Sequence, residues 1–284
     1  MTHPSPKTDR SLIQRVIVAL IFIPILLGMF WMGGLTLFIF LAAVSVVGQW
    51  EMFSMLSNRL KTRHRIIGYT GGLSVIISAF MGLAIYSAGI IVAVLMISFF
   101  IEMLFGTERK LESIVLCLFV TIYPALFCLF LFKISTFPFK VGFLNGRYVL
   151  LYVLITIWMF DTGSYFAGRA WGKRPFFPHI SPKKTLEGFI GGCCVVILLS
   201  LLMGLYLGKQ YIAHVVVLSV LIALAGQAGD LSESVIKRDL GVKDSSHLLP
   251  GHGGILDRFD SLFFAGPVVY IYLLTANRIS GGLF

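Results

Sequence analysis

Nine apolar runs constrain this chain more than any other feature of its sequence. A hydrocarbon core of about 30 Å needs about 20 apolar residues per crossing helix, and these runs lack the alternation of membrane β-strands. Only 13% of the residues are charged and 57% are apolar, which excludes a water-soluble globule. We expect an all-α integral membrane protein, a single polytopic domain over 1–284 with about nine transmembrane helices. The nine runs lie near 14–32, 34–50, 66–86, 88–105, 113–133, 149–168, 186–208, 211–229 and 259–277.

The distribution of basic residues predicts the orientation of these helices. With the N-terminus on one side of the membrane, 18 of the 23 Lys and Arg residues fall in segments on that side. Cytoplasmic segments carry the Lys and Arg excess, so we expect a cytoplasmic N-terminus and a C-terminus outside. The net charge of +10 then reflects orientation, and we expect no nucleic-acid binding. A compact multi-pass chain of this kind is expected in the inner (cytoplasmic) membrane of a bacterial cell.

The segment from Gly229 to Asp260, which contains the separator at 230–258, is unusually rich in groups that carry chemistry. Carboxylates at its two ends, Asp230 and the pair Asp257 and Asp260, suit a hard cation such as Mg²⁺. Glycines around His252 let backbone N–H groups approach an anion. Basic side chains within the segment add positive charge for phosphate groups, namely those of Lys237, Arg238 and Lys243. The alternative is a solvated, salt-bridged loop that only caps the membrane.

Two upstream features point to the same side of the membrane. Asp161 lies near the cytoplasmic end of an apolar run, where a carboxylate is costly unless it is functional or paired with Lys or Arg. Lys183 and Lys184 precede a helix that we expect to start near Thr185, with Glu187 in its first turn. A helix N-terminus flanked by lysines is a good phosphate site. The alternative is that the two lysines only reflect the general excess of Lys and Arg in cytoplasmic segments.

Together these segments form a long motif. It runs Ser234-x-Ile236-Lys237-Arg238, Lys243-Asp244 and Pro250-x-His252-Gly253-Gly254-x-x-Asp257-Arg258-x-Asp260, preceded by Asp161-Thr162-Gly163-Ser164-Tyr165, Gly168-Arg169 and Ser181-Pro182-Lys183-Lys184-Thr185-x-Glu187-Gly188. The motif resembles that of the phosphatidate cytidylyltransferases, also called CDP-diacylglycerol synthases. The resemblance covers the catalytic spans and loops of 149–284, whereas the N-terminal spans of 1–133 carry no specific motif.

The resemblance implies a nucleotidyltransferase of phospholipid biosynthesis that converts CTP and phosphatidate into CDP-diacylglycerol and pyrophosphate. The expected partners are CTP, phosphatidate and membrane lipids, with a homodimer left open and the active site facing the cytoplasm. The expected cofactor is Mg²⁺ or Mn²⁺, with a monovalent cation as a further candidate. The residues assigned to catalysis are Asp230, Asp257, Lys237 and His252. Those assigned to the metal are Asp230 and Asp257, with Asp161 and Asp260 as additional or outer ligands. Those assigned to substrate are Lys183, Lys184, Ser234, Arg238, Lys243, Gly253, Gly254 and Arg258.

Two other functions fit parts of the pattern. A related CTP-dependent membrane enzyme would act on an isoprenoid ether lipid or a polyprenol, since no motif marks the lipid groove. An ion-coupled transporter would use Asp161 and the acidic cluster as an ion path. Such a transporter would have charged residues near the membrane midplane and often an internal repeat. Here the charged residues fall in the predicted cytoplasmic loops, and the sequence shows no repeat. Glu102 and His64 have no recognisable partner in the sequence.

Overall fold

The structure, a computed structural model, describes residues 7–106, 110–138 and 145–279, with side chains described for 16–106, 111–138 and 145–278. Arg109 and Lys140, which enter the charge distribution, lie outside the described residues. The α-helices are α1 (Lys7–Met32), α2 (Gly34–Met55), α3 (Thr62–Phe80), α4 (Ser87–Phe105), α5 (Lys110–Ser135), α6 (Gly146–Trp171), α7 (Leu186–Leu207), α8 (Ile212–Asp239) and α9 (Leu256–Ile279). The strands are β1 (Pro175–Phe177) and β2 (Ser181–Thr185).

The helices follow the predicted apolar runs one by one, which confirms the all-α membrane class. Within the described ranges, seven helical segments are long and apolar enough to cross a bilayer. The apolar part of α1, Val16–Met32, is shorter than these, and α3 is not among the seven. The protein is therefore a multi-pass membrane protein, while the count of nine spans and the orientation of the termini stay predictions.

The helix boundaries differ from the predicted ones by several residues, and the largest difference is at the end of α8. The separator was expected to begin at residue 230, but α8 continues to Asp239, so the first ten residues of that segment are helical. Glu233 and Lys237 lie one helical turn apart and their charged atoms are 3.2 Å from each other. Such a pair supports a helix, so the charges here mark a helical extension beyond the apolar run.

A small hairpin adds β-structure to the separator between α6 and α7. Strands β1 and β2 pair antiparallel, and the turn between them includes His179. The Glu187 carboxylate, in the first turn of α7, accepts hydrogen bonds from the backbone N–H groups of Lys173 and Arg174 at 3.1 and 3.2 Å. This contact fixes the base of the hairpin to the start of α7.

The chain forms two compact units. Among the described residues, those up to Phe132 and Leu240–Phe259 form one unit, and those between Lys133 and Asp239 together with those from Asp260 form the other. In the first, Phe259 packs edge-on against Phe22, with ring centroids 6.3 Å apart. The core of the second includes Phe160, Val196 and Ala223. The prediction of a single membrane domain is not tested by this division and stays a prediction.

Helices α6 and α7 approach closely because glycines line their contact. A Cβ atom added at Gly188 would lie 2.8 Å from the carbonyl oxygen of Ser164, and one added at Gly192 would lie 2.8 Å from that of Phe160. Real Cβ atoms do not come this close to backbone oxygens. Small residues permit such approach between membrane helices, where van der Waals packing drives association.

We predict that Gly192→Ala lowers the thermal unfolding midpoint of the detergent-solubilised protein. The methyl group forces α6 and α7 apart, and overpacking of this kind costs about 1–3 kcal/mol. Gly89→Ala is the matched control, because a Cβ there meets no atom within 4 Å and alanine favours the helix intrinsically. Equal midpoints for the two variants would contradict the close packing of α6 on α7.

Candidate functional site

The loop between α8 and α9 folds around a basic cleft of about 290 Å³. Gly251 and Gly253 adopt φ angles of 75° and 80°, a left-handed conformation that glycine adopts without strain. Hydrogen bonds from His252 N to Leu249 O (2.8 Å) and from Leu249 N to Gly253 O (2.9 Å) close the turn. The structure thus confirms the glycine turn around His252. The cleft is lined by Lys243, Asp244, His247, Leu249, Pro250, Gly251, His252, Gly253 and Arg258.

Asp257, in the first turn of α9, holds this loop in place. Its Oδ2 accepts hydrogen bonds from Gly254 N at 2.8 Å and from both N and Oγ of Ser245 at 3.0 Å. A Cβ atom added at Gly253 would lie 3.2 Å from Asp257 Cγ. The residue assigned to catalysis and metal binding therefore also orders the loop, a function that the sequence did not predict.

Glu51 is a member of the site that the sequence analysis missed. Its side chain, at the end of α2, is fully buried and accepts hydrogen bonds from the same loop, including one from Ile255 N at 2.8 Å. A signal existed in the sequence, because Glu51 directly follows an apolar run, as costly a place for a carboxylate as that of Asp161.

Three of the four residues assigned to metal binding lie in the second unit and interact electrostatically. Asp230 and Asp161 both act electrostatically on Asp260, as does the Lys237 ammonium group. The Lys184 ammonium group contacts the Asp230 carboxylate directly. Asp257, the fourth, belongs to the other unit.

The donor chemistry of these carboxylates fits a hard divalent cation, since Mg²⁺ and Mn²⁺ prefer oxygen ligands. The contact between Lys184 and Asp230 shows that Asp230 is accessible to a positive charge. Among the described residues, however, no group of three or more His, Cys, Asp or Glu side chains converges as a metal site. Their assignment as metal ligands therefore stays a prediction.

Helix α7 begins where the sequence predicted. Thr185 is the N-cap residue, and its Oγ1 accepts a hydrogen bond from Gly188 N at 3.2 Å. Lys183 and Lys184 precede it in β2, so both lysines lie next to the positive end of a helix dipole. Lys183 is exposed, which leaves it accessible to an anion.

The remaining residues assigned to substrate differ in their surroundings. Lys237 is buried beside the buried carboxylate of Glu233, so the structure gives it a structural partner in addition to its assigned role. Arg238 is exposed at the end of α8 and Ser234 is half-buried. Gly254 is buried, and an added Cβ would lie 2.6 Å from Glu51 Cδ; its lack of a side chain makes room for Glu51.

The second unit also contains an apolar pocket of about 580 Å³. Thr162, Gly163 and Trp171 line it from α6, and Ile190 and Cys194 line it from α7. Glu187 is the one charged side chain in its lining among the described residues. The pocket suits an apolar chain of a lipid more than a polar ligand.

Comparison with known proteins identifies the chain's relatives. The model of the cytidylyltransferase family matches residues 13–276. A phosphatidate cytidylyltransferase of Staphylococcus haemolyticus (strain JCSC1435) is 35% identical over 268 residues, and one of Staphylococcus epidermidis is 36% identical over 276 residues. One of Staphylococcus aureus (strain COL) is 31% identical over 265 residues. Each alignment covers 92% of this chain and 97% of the relative.

We predict that Lys237→Met lowers the free energy of unfolding more than Glu233→Leu/Lys237→Met does. The single change leaves a buried carboxylate without the ammonium group 3.2 Å away, and breaking a buried pair in this way costs about 3–5 kcal/mol. Removal of both charges avoids that cost. Arg238→Met, at the exposed neighbour, is the control for denaturation in detergent. A double variant that is less stable than Lys237→Met would show that Lys237 does not stabilise the protein by neutralising the Glu233 carboxylate.

Proposed function

Because the chain belongs to the cytidylyltransferase family, we propose that this nucleotidyltransferase makes CDP-diacylglycerol and pyrophosphate from CTP and phosphatidate. The relatives that carry the name phosphatidate cytidylyltransferase match almost its whole length. The observation that carries the proposal is the basic cleft of the motif loop, with Lys243, His252 and Arg258 in its lining. Three cationic or proton-donating side chains around a polar cleft suit the phosphates of a nucleotide.

The reaction brings two polyanions together. A phosphate oxygen of phosphatidate attacks the α-phosphorus of CTP and forms a new P–O bond. The bond from that phosphorus to the oxygen bridging to the β-phosphorus breaks, and pyrophosphate leaves with that oxygen. Positioning and neutralisation of charge account for most catalysis in such transfers. We assign Lys243 and Arg258 to the triphosphate, and Lys183 and Lys184 to phosphates next to the start of α7.

The carboxylates of the motif are the basis for proposing a divalent cation in the active site. We propose that Asp230 and Asp257 hold Mg²⁺ or Mn²⁺, with Asp161 and Asp260 as additional or outer ligands. A cation held by these carboxylates would neutralise charge on the phosphates. We propose that His252, in the glycine turn, either donates a proton to the departing pyrophosphate or orders the turn.

The membrane supplies the second substrate. We propose that the motif segments face the cytoplasm, where CTP is, and that the N-terminus lies on the same side. The excess of Lys and Arg in those segments supports this orientation. The apolar pocket between α6 and α7 is our candidate for an acyl chain of phosphatidate.

We predict that the purified protein, with phosphatidate and Mg²⁺, transfers label into lipid from CTP labelled at the α-phosphate but not at the γ-phosphate. EDTA abolishes the transfer, and Asp230→Asn reduces it about 100-fold or more because a neutral amide binds a hard cation poorly. Asp239→Asn, at the exposed end of α8, is the control.

Other outcomes of this experiment identify other reactions. Lipid labelled from the γ-phosphate would show a kinase. Transfer to an ether lipid or a polyprenol, with none to phosphatidate, would show a related enzyme. Absence of transfer to any lipid by folded protein would overturn the proposed function.

We also predict that Lys243→Gln and Arg258→Gln raise the KM for CTP about tenfold each, because each loses a charge-assisted hydrogen bond to phosphate. Steady-state kinetics at saturating phosphatidate measure this change. Lys209→Gln is the control, since Lys209 is exposed in the short connection before α8. Unchanged KM values in both cleft variants would place the nucleotide elsewhere.

A further inference from the structure

Glu51 makes an unusually complete set of hydrogen bonds with the motif loop. Its Oε1 accepts from Ser246 Oγ at 2.6 Å and from Ile255 N at 2.8 Å. Its Oε2 accepts from Ser245 Oγ at 3.0 Å and from Leu256 N at 2.8 Å. The side chain is 0% exposed, so these donors take the place of water around the carboxylate.

Two of those donors are backbone N–H groups at the start of α9, namely that of Leu256, its first residue, and that of Ile255 just before it. The N–H groups at a helix N-terminus have no partner within the helix, and the helix dipole favours a negative charge there. Ile255 and Leu256 find their acceptor in a side chain of α2, about 200 residues earlier in the chain. Glu51 therefore caps α9 from a distance and fixes where that helix starts.

A shared hydroxyl group connects Glu51 to Asp257. Ser245 Oγ lies 3.0 Å from Glu51 Oε2 and 3.0 Å from Asp257 Oδ2. A hydroxyl has a single proton, so it donates to one of these carboxylates at a time. Any movement of Glu51 thus changes the hydrogen bonding of Asp257. Ser246, by contrast, donates to Glu51 and accepts from Leu248 N, and within the described part of the chain it makes no hydrogen bond to Asp257.

We propose that Glu51 is a positioning residue for the cytidylyl transfer. It holds the loop 245–256 and, through Ser245, orients the Asp257 carboxylate and with it the cleft that contains Lys243 and Arg258. The expected effect on enzyme kinetics rests on the proposed function. The expected effect on the structure of the loop does not. Glu51 gives a role to the N-terminal half of the chain, in which the sequence shows no motif.

The first test uses Glu51→Gln, which keeps the size of the side chain but turns an N–H₂ group toward N–H donors. We expect kcat/KM for CTP, per folded enzyme, to fall about tenfold or more, as for loss of hydrogen bonds to a charged group. Glu51→Asp retains the charge and restores part of the activity. Glu112→Gln, at a half-exposed carboxylate 4.0 Å from Arg59, is the control and leaves the kinetics unchanged.

The second test compares two adjacent serines. We expect Ser245→Ala to reduce kcat more than Ser246→Ala, because only Ser245 contacts both carboxylates. In the double variant Glu51→Gln/Ser245→Ala the losses are less than additive, as expected for residues that act in one network. Equal effects of the two serine variants, or full additivity, would overturn the connection through Ser245.

A third measurement does not depend on activity. Hydrogen exchange followed by mass spectrometry reports the protection of the amides of 245–256. We expect faster exchange there in Glu51→Gln than in Glu112→Gln, with α7 and α8 unchanged. If wild-type protein transfers no cytidylyl group but exchange accelerates as expected, the proposed function fails and the positioning of the loop stands. If kinetics per folded enzyme and exchange both match the control, the role of Glu51 is overturned.

Discussion

The buried carboxylate of Glu51 at the start of α9 is the interaction on which the motif loop depends. A charged group without access to water is stable only where hydrogen-bond donors surround it, and the loop supplies four. The same bonds satisfy backbone amides that a helix leaves unpaired at its N-terminus. The loop, the start of the helix and the carboxylate therefore stabilise one another, and none of them would hold this geometry alone.

Much of the helical architecture could be predicted because it depends on local sequence. Each apolar run is long enough for a helix, and a chain in lipid must satisfy its backbone hydrogen bonds internally. The start of α7 was also predictable, since Thr185 and Glu187 are typical of an N-cap and a first turn. The glycines around His252 predicted the turn in the same way, because their conformational freedom is local.

The contacts that could not be predicted join residues distant in sequence. Nothing near Glu51 indicates that its donors lie about 200 residues away. Glu102 had no recognisable partner, yet its carboxylate lies 3.1 Å from His64 Nε2, and both side chains are buried. The end of α8 was misplaced for a different reason. The change from apolar to charged residues at Asp230 marks where burial decreases, not where the helix ends.

The carboxylates of the motif have different surroundings, and this affects how variants at these positions are to be interpreted. Asp257 accepts hydrogen bonds from the backbone N–H groups of Ser245 and Gly254 and shares the Ser245 hydroxyl with Glu51, so its replacement disturbs the cleft whether or not it binds a cation. Asp230 contacts Lys184 and acts electrostatically on Asp260, so its replacement changes the local charge of the second unit. Loss of activity at Asp257 alone is therefore weak support for metal binding. Loss at Asp230, together with a changed dependence on Mg²⁺, is the stronger observation, because the dependence on Mg²⁺ reports on the cation itself and not on the order of the loop.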